Sequence, residues 1–165
     1  MGRSKSQFDP DTCTRAVQEI QPMTSHHSLN IFDVRFLRPS KKAEERMHNG
    51  CHPGSLAPFV HGNLFPELLK AVKSNVIDAM QEPENRQITL CFVSDSGRHR
   101  SVSAGKILAE IVLESPAMQL GQVIFATDQA RDGSCAVCAR CQFWTYRWKQ
   151  RNDAVAKAVD LWQTF

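Results

Sequence analysis

Hydrophobic residues along the chain form three short runs, each followed by a polar break. The first, "LNIFDVRFL", covers Leu29–Leu37, the second, "QITLCFV", covers Gln87–Val93, and the third, "QVIFAT", covers Gln122–Thr127. β-Branched and aromatic residues are frequent in these runs, which is typical of strands. The second run is almost continuously apolar, so we predict a strand that is buried on both faces.

Apolar residues recur at helical spacing in three other segments. The first runs from Leu64 to Met80, with Pro66 in its first turn, where proline is tolerated. Its predicted apolar face consists of Leu64, Leu68, Leu69, Val72, Val76 and Met80. The second runs from Ser101 to Glu114, and its predicted core residues are Val102, Ile107, Leu108, Ile111 and Val112. The third covers residues 142–165, with aromatic anchors at Phe143, Trp144, Trp148 and Trp162.

The order of these elements predicts the fold class. Strands that alternate with helices indicate an α/β fold, here a small, mostly parallel sheet with flanking helices. We expect residues 1–28 to form a polar N-terminal extension, and residues 29–165 to form one domain. Residues 38–50 form a charged excursion with a short helical piece, and a cysteine cluster with the last helix occupies residues 135–165.

Composition restricts the partners and the cellular compartment that we expect for this domain. The chain has 165 residues, 42% of them hydrophobic, and a net charge of +3, so it is mildly basic without the strong bias of a dedicated nucleic-acid binder. No stretch approaches the roughly 18 apolar residues of a membrane span. Six cysteines without a secretory signal indicate a reducing, cytoplasmic compartment.

The loop between the second strand and the second helix is the main candidate for chemistry. Such a junction is the favoured ligand position in open α/β sheets, and a helix N-terminus attracts anions. Gly97 allows a tight turn, and Ser101 is suited to cap the helix. Arg98, His99 and Arg100 add basic groups, and Arg100 can fork two N–H groups onto a phosphate. The loop therefore predicts an oxyanion site, and the alternative is a basic turn with a routine cap.

The segment from Ser94 to Ser101 resembles the phosphate-binding loop of cysteine-based phosphatases, C-x-x-G-x-x-R-S, except at its first position. Ser94 stands where that loop carries its thiolate, and a serine hydroxyl is essentially undissociated at neutral pH. The phosphate-binding positions Gly97, Arg100 and Ser101 are retained without the nucleophile, which favours binding over hydrolysis. The role of Asp95 remains open. The alternatives are that it points to solvent, contacts a sugar hydroxyl or amine, caps the loop, or acts as an acid.

Two motifs carry a resemblance to a known family. "GRHRSV" after an apolar strand, and "FDVRFLRPSKKAEERMHNGCHPGSLAPFV" at residues 32–60, are similar to segments of the C-terminal domain of the RapZ family of bacterial RNase adaptor proteins. The resemblance covers about residues 29 to 127. It implies a small α/β domain that binds an amino-sugar phosphate, takes part in small-RNA binding and self-associates.

By matching positions, the resemblance places several residues in the pocket. These are Asp33, Arg35, Gly97, His99, Arg100 and Ser101. The chain departs from the family at Ser94, Asp95 and Ser96, where the family has Cys-Thr-Gly. Independently of the family, a charged pair near the end of a core strand is costly unless it is functional or mutually paired, so Asp33 and Arg35 form either part of the site or a structural ion pair.

Three cysteines near the head of the last helix form a second candidate. Cys135, Cys138 and Cys141 have a C-x2-C-x2-C spacing that suits a structural zinc ion, with a distant fourth ligand drawn from Cys51, His52 or His61. The alternative is a set of packed thiols, and for each histidine of the excursion we favour a surface or capping role over a ligand role.

The sequence thus supports three functional hypotheses. The leading one is a binding module for a phosphorylated small molecule, either a sugar phosphate or a nucleotide, at residues 94–102. The second is a phosphoesterase that uses Asp95 or His99 in acid–base chemistry. The third is an RNA-interaction domain, with Arg147, Lys149 and Arg151 beside the tryptophans of the last helix.

Overall fold

The computed structural model describes residues 27–37, 50–84, 87–95, 99–115 and 145–165. These residues form two strands, β1 (His27–Asp33) and β2 (Gln87–Val93), and four helices. The helices are α1 (Pro53–Val60), α2 (Phe65–Gln81), α3 (Arg100–Glu114) and α4 (Thr145–Thr164). The described part of the chain is therefore mixed α/β and mostly helical, which confirms the predicted fold class.

The two strands pair in parallel over their whole length. The register runs from His27 opposite Gln87 to Asp33 opposite Val93. Phe32 and Phe92 stack across the pair, with ring centroids 5.5 Å apart. Because a parallel pair brings its two carboxyl ends to the same edge, the residues that follow both strands are placed side by side.

One apolar core joins the helices to these strands. α1 packs against α3 and α4, α3 packs against β2 and α4, and α2 packs against β1 and α4. The fully buried residues of this core include Val34, Leu56, Leu69, Val72, Ile107 and Ile111. Burial of such side chains stabilises the fold by about 1.5–3 kcal/mol each.

Strand β1 ends at Asp33, four residues earlier than the apolar run predicts. The Asp33 carboxylate accepts a hydrogen bond from the backbone N–H of Arg35 at 2.9 Å, which turns the chain out of the strand. Leu37 then donates its backbone N–H to the carbonyl of Val34 at 3.2 Å. Val34 and Leu37 are still buried, so their apolar character reflects the core and not a strand.

Strand β2 has the predicted limits but not the predicted burial. Every residue from Gln87 to Val93 is half-buried, whereas we expected burial on both faces. An apolar sequence makes full burial tolerable, but the neighbouring elements decide how much of each face is covered.

The helices agree more closely with the hydrophobic periodicity. α2 and α3 lie within one residue of their predicted limits, and the predicted core residues of α3 are buried or packed against the core. Met80 in α2 and Leu64 just before it are exposed, contrary to prediction, and Phe65 and Ala79 of α2 are buried instead. Trp162 of α4 is buried as predicted.

Helix α1 was not predicted, because proline and glycine at its start and Pro58 inside it disguise the pattern. His52 precedes it as the N-cap, and its ring nitrogen Nδ1 accepts a hydrogen bond from the backbone N–H of Gly54 at 3.0 Å. Pro53 occupies the first turn, where the missing N–H costs nothing. Of the surface and capping roles that the sequence suggested for His52, the bond to Gly54 shows the capping one, and the complete burial of His52 excludes the surface one.

Several sequence predictions lie outside the described residues. These are the N-terminal extension up to residue 26, the excursion at 38–49, the third strand and the cysteine cluster. Among the helices that are described, none is both long and apolar enough to cross a membrane.

Candidate functional site

Six of the predicted site residues come together where the two parallel strands end. The backbone N–H of Val34 donates to the carbonyl of Val93 at 2.9 Å, which carries the pairing one residue beyond β1. The chain after β1 therefore runs beside the chain after β2. We call the following residues the strand-end cluster: Asp33, Arg35, Ser94, Asp95, Arg100 and Ser101.

The first ion pair of this cluster is local. Asp33 and Arg35 are two residues apart, and Arg35 Nη2 lies 2.6 Å from Asp33 Oδ2. Arg35 Nε donates to both carboxylate oxygens at 2.9 Å, and the backbone N–H of Arg35 donates to Oδ1 at 2.9 Å. The pair thus closes a turn as well as neutralising two charges, which fits the structural ion pair that the sequence left open.

Electrostatics at Asp33 follow from this geometry. The side-chain hydrogen bonds from Arg35 lower the pKa of the Asp33 carboxyl below its ordinary value of 3.8, although partial burial opposes the shift. The positive charge of Arg100 lowers this pKa further. Hydrogen bonding to Asp33 raises the pKa of Arg35, and the charge of Asp95 adds to that effect. The members of the two pairs are therefore close enough to interact with one another.

The second ion pair joins distant parts of the sequence. Arg100, the first residue of α3, donates from Nη1 to the backbone carbonyls of Arg35 at 2.5 Å and Leu37 at 3.2 Å. Its Nη2 lies 2.6 Å from Asp95 Oδ2. The Arg100 side chain is only 14% exposed, whereas that of Asp95 is 60% exposed. Arg100 thus fastens the turn after β1 to the head of α3, and Asp95 covers its outer edge.

The start of α3 differs in detail from the sequence prediction. The N-cap is His99, and its side chain makes no capping hydrogen bond within the described part of the chain. Ser101, the predicted cap, lies one position inside the helix, where its hydroxyl accepts a hydrogen bond from the Ser94 hydroxyl at 3.0 Å. Ser101 therefore ties the end of β2 to α3 and does not cap the helix.

Gly50 supports the same helix start from the opposite side, although the sequence marked it only as the end of the charged excursion. A Cβ atom built on Gly50 would lie 2.2 Å from the backbone carbonyl oxygen of His99 and 2.6 Å from the backbone nitrogen of Ser103. Ser103 is buried, and its hydroxyl donates to the Gly50 carbonyl at 2.9 Å. The close approach therefore requires glycine, and no local sequence signal reveals the partner.

Three of the predicted site residues, Ser96, Gly97 and Arg98, lie outside the described residues. His99 is described and half-buried beside the cluster, with its backbone carbonyl accepting from Ser103 N–H at 2.7 Å. The described charges of the cluster balance, because Asp33 and Asp95 offset Arg35 and Arg100.

The proposed zinc ligands Cys135, Cys138 and Cys141 also lie outside the described residues. Across the described ranges, no group of three histidine, cysteine or acidic residues is arranged to hold a metal ion. Of the suggested fourth ligands, His52 uses Nδ1 for its capping bond. His61 is exposed at the end of α1, with Nδ1 2.9 Å from Lys157 Nζ. These roles are structural.

No protein-family model matches this chain, and no curated protein or solved structure does either.

Proposed function

We propose that this chain is a binding module for a phosphorylated small molecule, either a sugar phosphate or a nucleotide, held at the strand-end cluster. The observation that carries the proposal is the position of Arg100. Its guanidinium lies at the carboxyl ends of two parallel strands and at the head of a 15-residue helix. This edge of the sheet is where ligands bind in α/β folds, and the backbone N–H groups of a first helical turn favour an anion.

Arg100 is also held in place before any ligand arrives. Its Nη1 is fixed by two backbone carbonyls, so the side chain keeps one orientation on the edge of the cluster. A side chain that is already ordered loses little conformational entropy on binding, which increases affinity. Ser94 and Ser101 add hydroxyl groups that donate to or accept from a phosphate ester.

Binding is favoured over hydrolysis by the chemistry of Ser94. Its hydroxyl donates to the Ser101 hydroxyl, which is not a base that would activate it as a nucleophile. The phosphoesterase alternative would use Asp95 or His99. It predicts turnover of a generic phosphate ester that disappears in both Asp95→Asn and His99→Ala, a result that would replace the binding proposal.

The resemblance to the RapZ C-terminal domain family supports a sugar phosphate as the ligand class, and membership of that family is itself part of the proposal. The matching "GRHRSV" motif includes Arg100 and Ser101, and "FDVRFL" includes Asp33 and Arg35. Both motifs contribute to the strand-end cluster. A ligand site assembled from these motifs is what the family resemblance implies.

RNA binding is a weaker candidate for α4. Trp162 is buried in the core, and Arg151 Nη2 lies 2.5 Å from Glu110 Oε1 of α3. These two residues are therefore engaged within the fold instead of forming a stacking and basic face. The RNA hypothesis predicts an affinity for RNA that falls steeply with salt, and lack of binding at low salt would reject it.

Titration calorimetry with a panel of phosphate esters tests the proposal. The panel contains a hexose phosphate, an amino-sugar phosphate and a nucleoside monophosphate. Arg100→Lys keeps the charge but loses the planar fork, so we expect affinity for the bound ester to fall about tenfold, as for loss of a charge-assisted bond. Arg151→Lys makes the same change in an ion pair between α3 and α4, and it should bind like the wild type.

Two outcomes would contradict the proposal. One is that no ester of the panel binds to the wild-type protein. The other is that an ester binds equally well to the wild type, Arg100→Lys and Arg151→Lys, which would place the site elsewhere.

A further inference from the structure

We infer that Asp95 is an internal competitor of the ligand, whose carboxylate occupies the outer edge of Arg100 and is displaced when a phosphate group binds. This inference rests on the proposed function and assigns a regulatory role to a residue within the same site. It answers why a carboxylate lies in a loop that otherwise suits an anion.

The two members of the pair differ in burial. Arg100 is 14% exposed, and Asp95 is 60% exposed. The cation is therefore a fixed part of the fold, while the carboxylate lies largely in solvent. An incoming anion approaches from the solvent side, so Asp95 is the group that it meets first at Arg100.

The two sides of Arg100 also differ in what displacement would require. Nη1 donates to the carbonyls of Arg35 and Leu37, which belong to a turn closed by the Asp33–Arg35 pair. Replacing those acceptors would mean reorganising the backbone. Replacing Asp95 requires only a rotation of an exposed side chain about its own bonds. The exchange therefore takes place on the Nη2 side.

Charge balance favours exchange over addition. With both pairs formed, the described cluster has two positive and two negative side chains. A phosphate that entered beside Asp95 would add negative charge next to an existing carboxylate, which is unfavourable. If Asp95 leaves Arg100, one anion takes the place of another. Ion pairs with a well-exposed member stabilise a fold only weakly, whereas phosphate bonds to arginine are among the stronger hydrogen bonds.

The resulting site has a threshold for its ligand. A weakly charged anion does not compete effectively with the tethered carboxylate, because the carboxylate is always present at a high effective concentration. A phosphate, which has more charge and more acceptor oxygens, does compete. Asp95 thereby lowers the affinity for every anion by the same factor, so that only an anion with the stronger bonds of phosphate occupies Arg100 at low concentration.

The test is the affinity of the full chain for inorganic phosphate and for acetate, measured by titration calorimetry. Asp95→Asn is nearly isosteric and removes the competing charge, so we expect phosphate to bind about fivefold more tightly and the weaker affinity for acetate to rise by a similar factor. Asp78→Asn removes the same charge from the exposed surface of α2 and is the matched control. Asp78→Asn should leave both affinities at the wild-type value.

A second measurement follows the displacement directly. The ¹³C chemical shift of the side-chain carboxyl carbon (Cγ) of Asp95 should change when phosphate saturates the wild-type protein, and that of Asp78 should not. Circular dichroism of each variant verifies that the fold is retained.

Each outcome decides the inference. Tighter phosphate binding in Asp95→Asn but not in Asp78→Asn supports it, even if the wild type binds too weakly to measure. Wild-type binding that is unchanged or weakened in Asp95→Asn overturns it and leaves the binding site itself intact. Absence of phosphate binding in the wild type and in Asp95→Asn alike overturns both the inference and a phosphate site at Arg100.

Discussion

The two aspartate–arginine pairs at the strand ends have the same chemistry but different construction. Asp33 and Arg35 are two residues apart and are joined by several hydrogen bonds inside one turn. Asp95 and Arg100 are five residues apart, and Arg100 is fixed by carbonyls more than sixty positions away in the sequence. The first pair is a local device that ends β1. The second exists only because α3 is placed against the turn after β1.

We propose that this difference separates a structural pair from a ligand-binding one. In the first pair both side chains are exposed to a similar degree, 27% and 36%, and each satisfies the other. In the second pair, the cation is fixed and the anion is exposed, which leaves one exchangeable edge. Variants that affect one pair and spare the other test this distinction.

Gly50→Ala should have the largest effect, because the new methyl group would meet the His99 carbonyl and the Ser103 nitrogen. Backbone atoms at this distance must move, so we expect the free energy of unfolding to fall by about 3 kcal/mol. The movement displaces the head of α3 and hence Arg100. Chemical denaturation measures the loss. Gly62→Ala is the control, because its nearest contact is a carbonyl oxygen at 3.2 Å, and an equal loss in both variants would contradict the assigned role of Gly50.

Arg100→Ala should follow, with a loss of about 2 kcal/mol in the free energy of unfolding. It removes the donor for the carbonyls of Arg35 and Leu37, and it breaks the pair with Asp95. Urea denaturation measures this loss. Arg151→Ala should cost less, because Lys106 stays 2.8 Å from Glu110. A smaller loss in Arg100→Ala than in Arg151→Ala would show that Arg100 does not fasten the turn.

Asp33→Asn should cost about 1 kcal/mol at neutral pH, since its pair is partly exposed and screened by solvent. The pKa of Asp33 is lowered in the folded protein, so its ionised form stabilises the fold above the ordinary value of 3.8. That contribution is lost as the pH falls through the lowered pKa. The difference in unfolding free energy between wild type and Asp33→Asn should therefore be constant near neutrality and shrink in acid. If the difference in unfolding free energy stayed the same at a pH below the lowered pKa of Asp33, the ion pair would not be its source.

Asp95→Asn should have the smallest effect on stability, below about 0.5 kcal/mol, because its carboxylate is well exposed. Thermal unfolding checks this value. The expected contrast is that Asp33→Asn changes stability and Asp95→Asn changes phosphate affinity. A large stability loss in Asp95→Asn would instead make both pairs structural.

Local sequence accounts for much of the fold. The limits of β2, α2 and α3 follow from apolar periodicity and from the polar breaks around them. α1 escaped prediction, because Pro58 lies inside a short helix whose stability depends on burial against α3 and α4. A helix of this length is marginal alone, so tertiary packing and not propensity decides its existence.

The candidate site was also only partly predictable from local sequence. The motifs containing Asp33, Arg35 and Arg100 were recognisable from residue types and spacing. The predicted N-cap, Ser101, was wrong by two positions, and Gly50 was missed, because both depend on where the head of α3 lies. Spacing along the chain does not report which carbonyl or carboxylate will face a side chain across a loop.

By itself, the sequence determined which residues are available for the proposed oxyanion site and that Ser94 stands where the similar phosphatase loop carries a cysteine, and it left open whether Asp33 and Arg35 pair with each other. Those properties depend on residue chemistry and on neighbours within a few positions. Only the tertiary structure decided that Arg100 is held by the turn after β1 and that Asp95 covers its outer edge. The parallel pairing of β1 and β2 brings those groups together, and such pairing is set by the whole core.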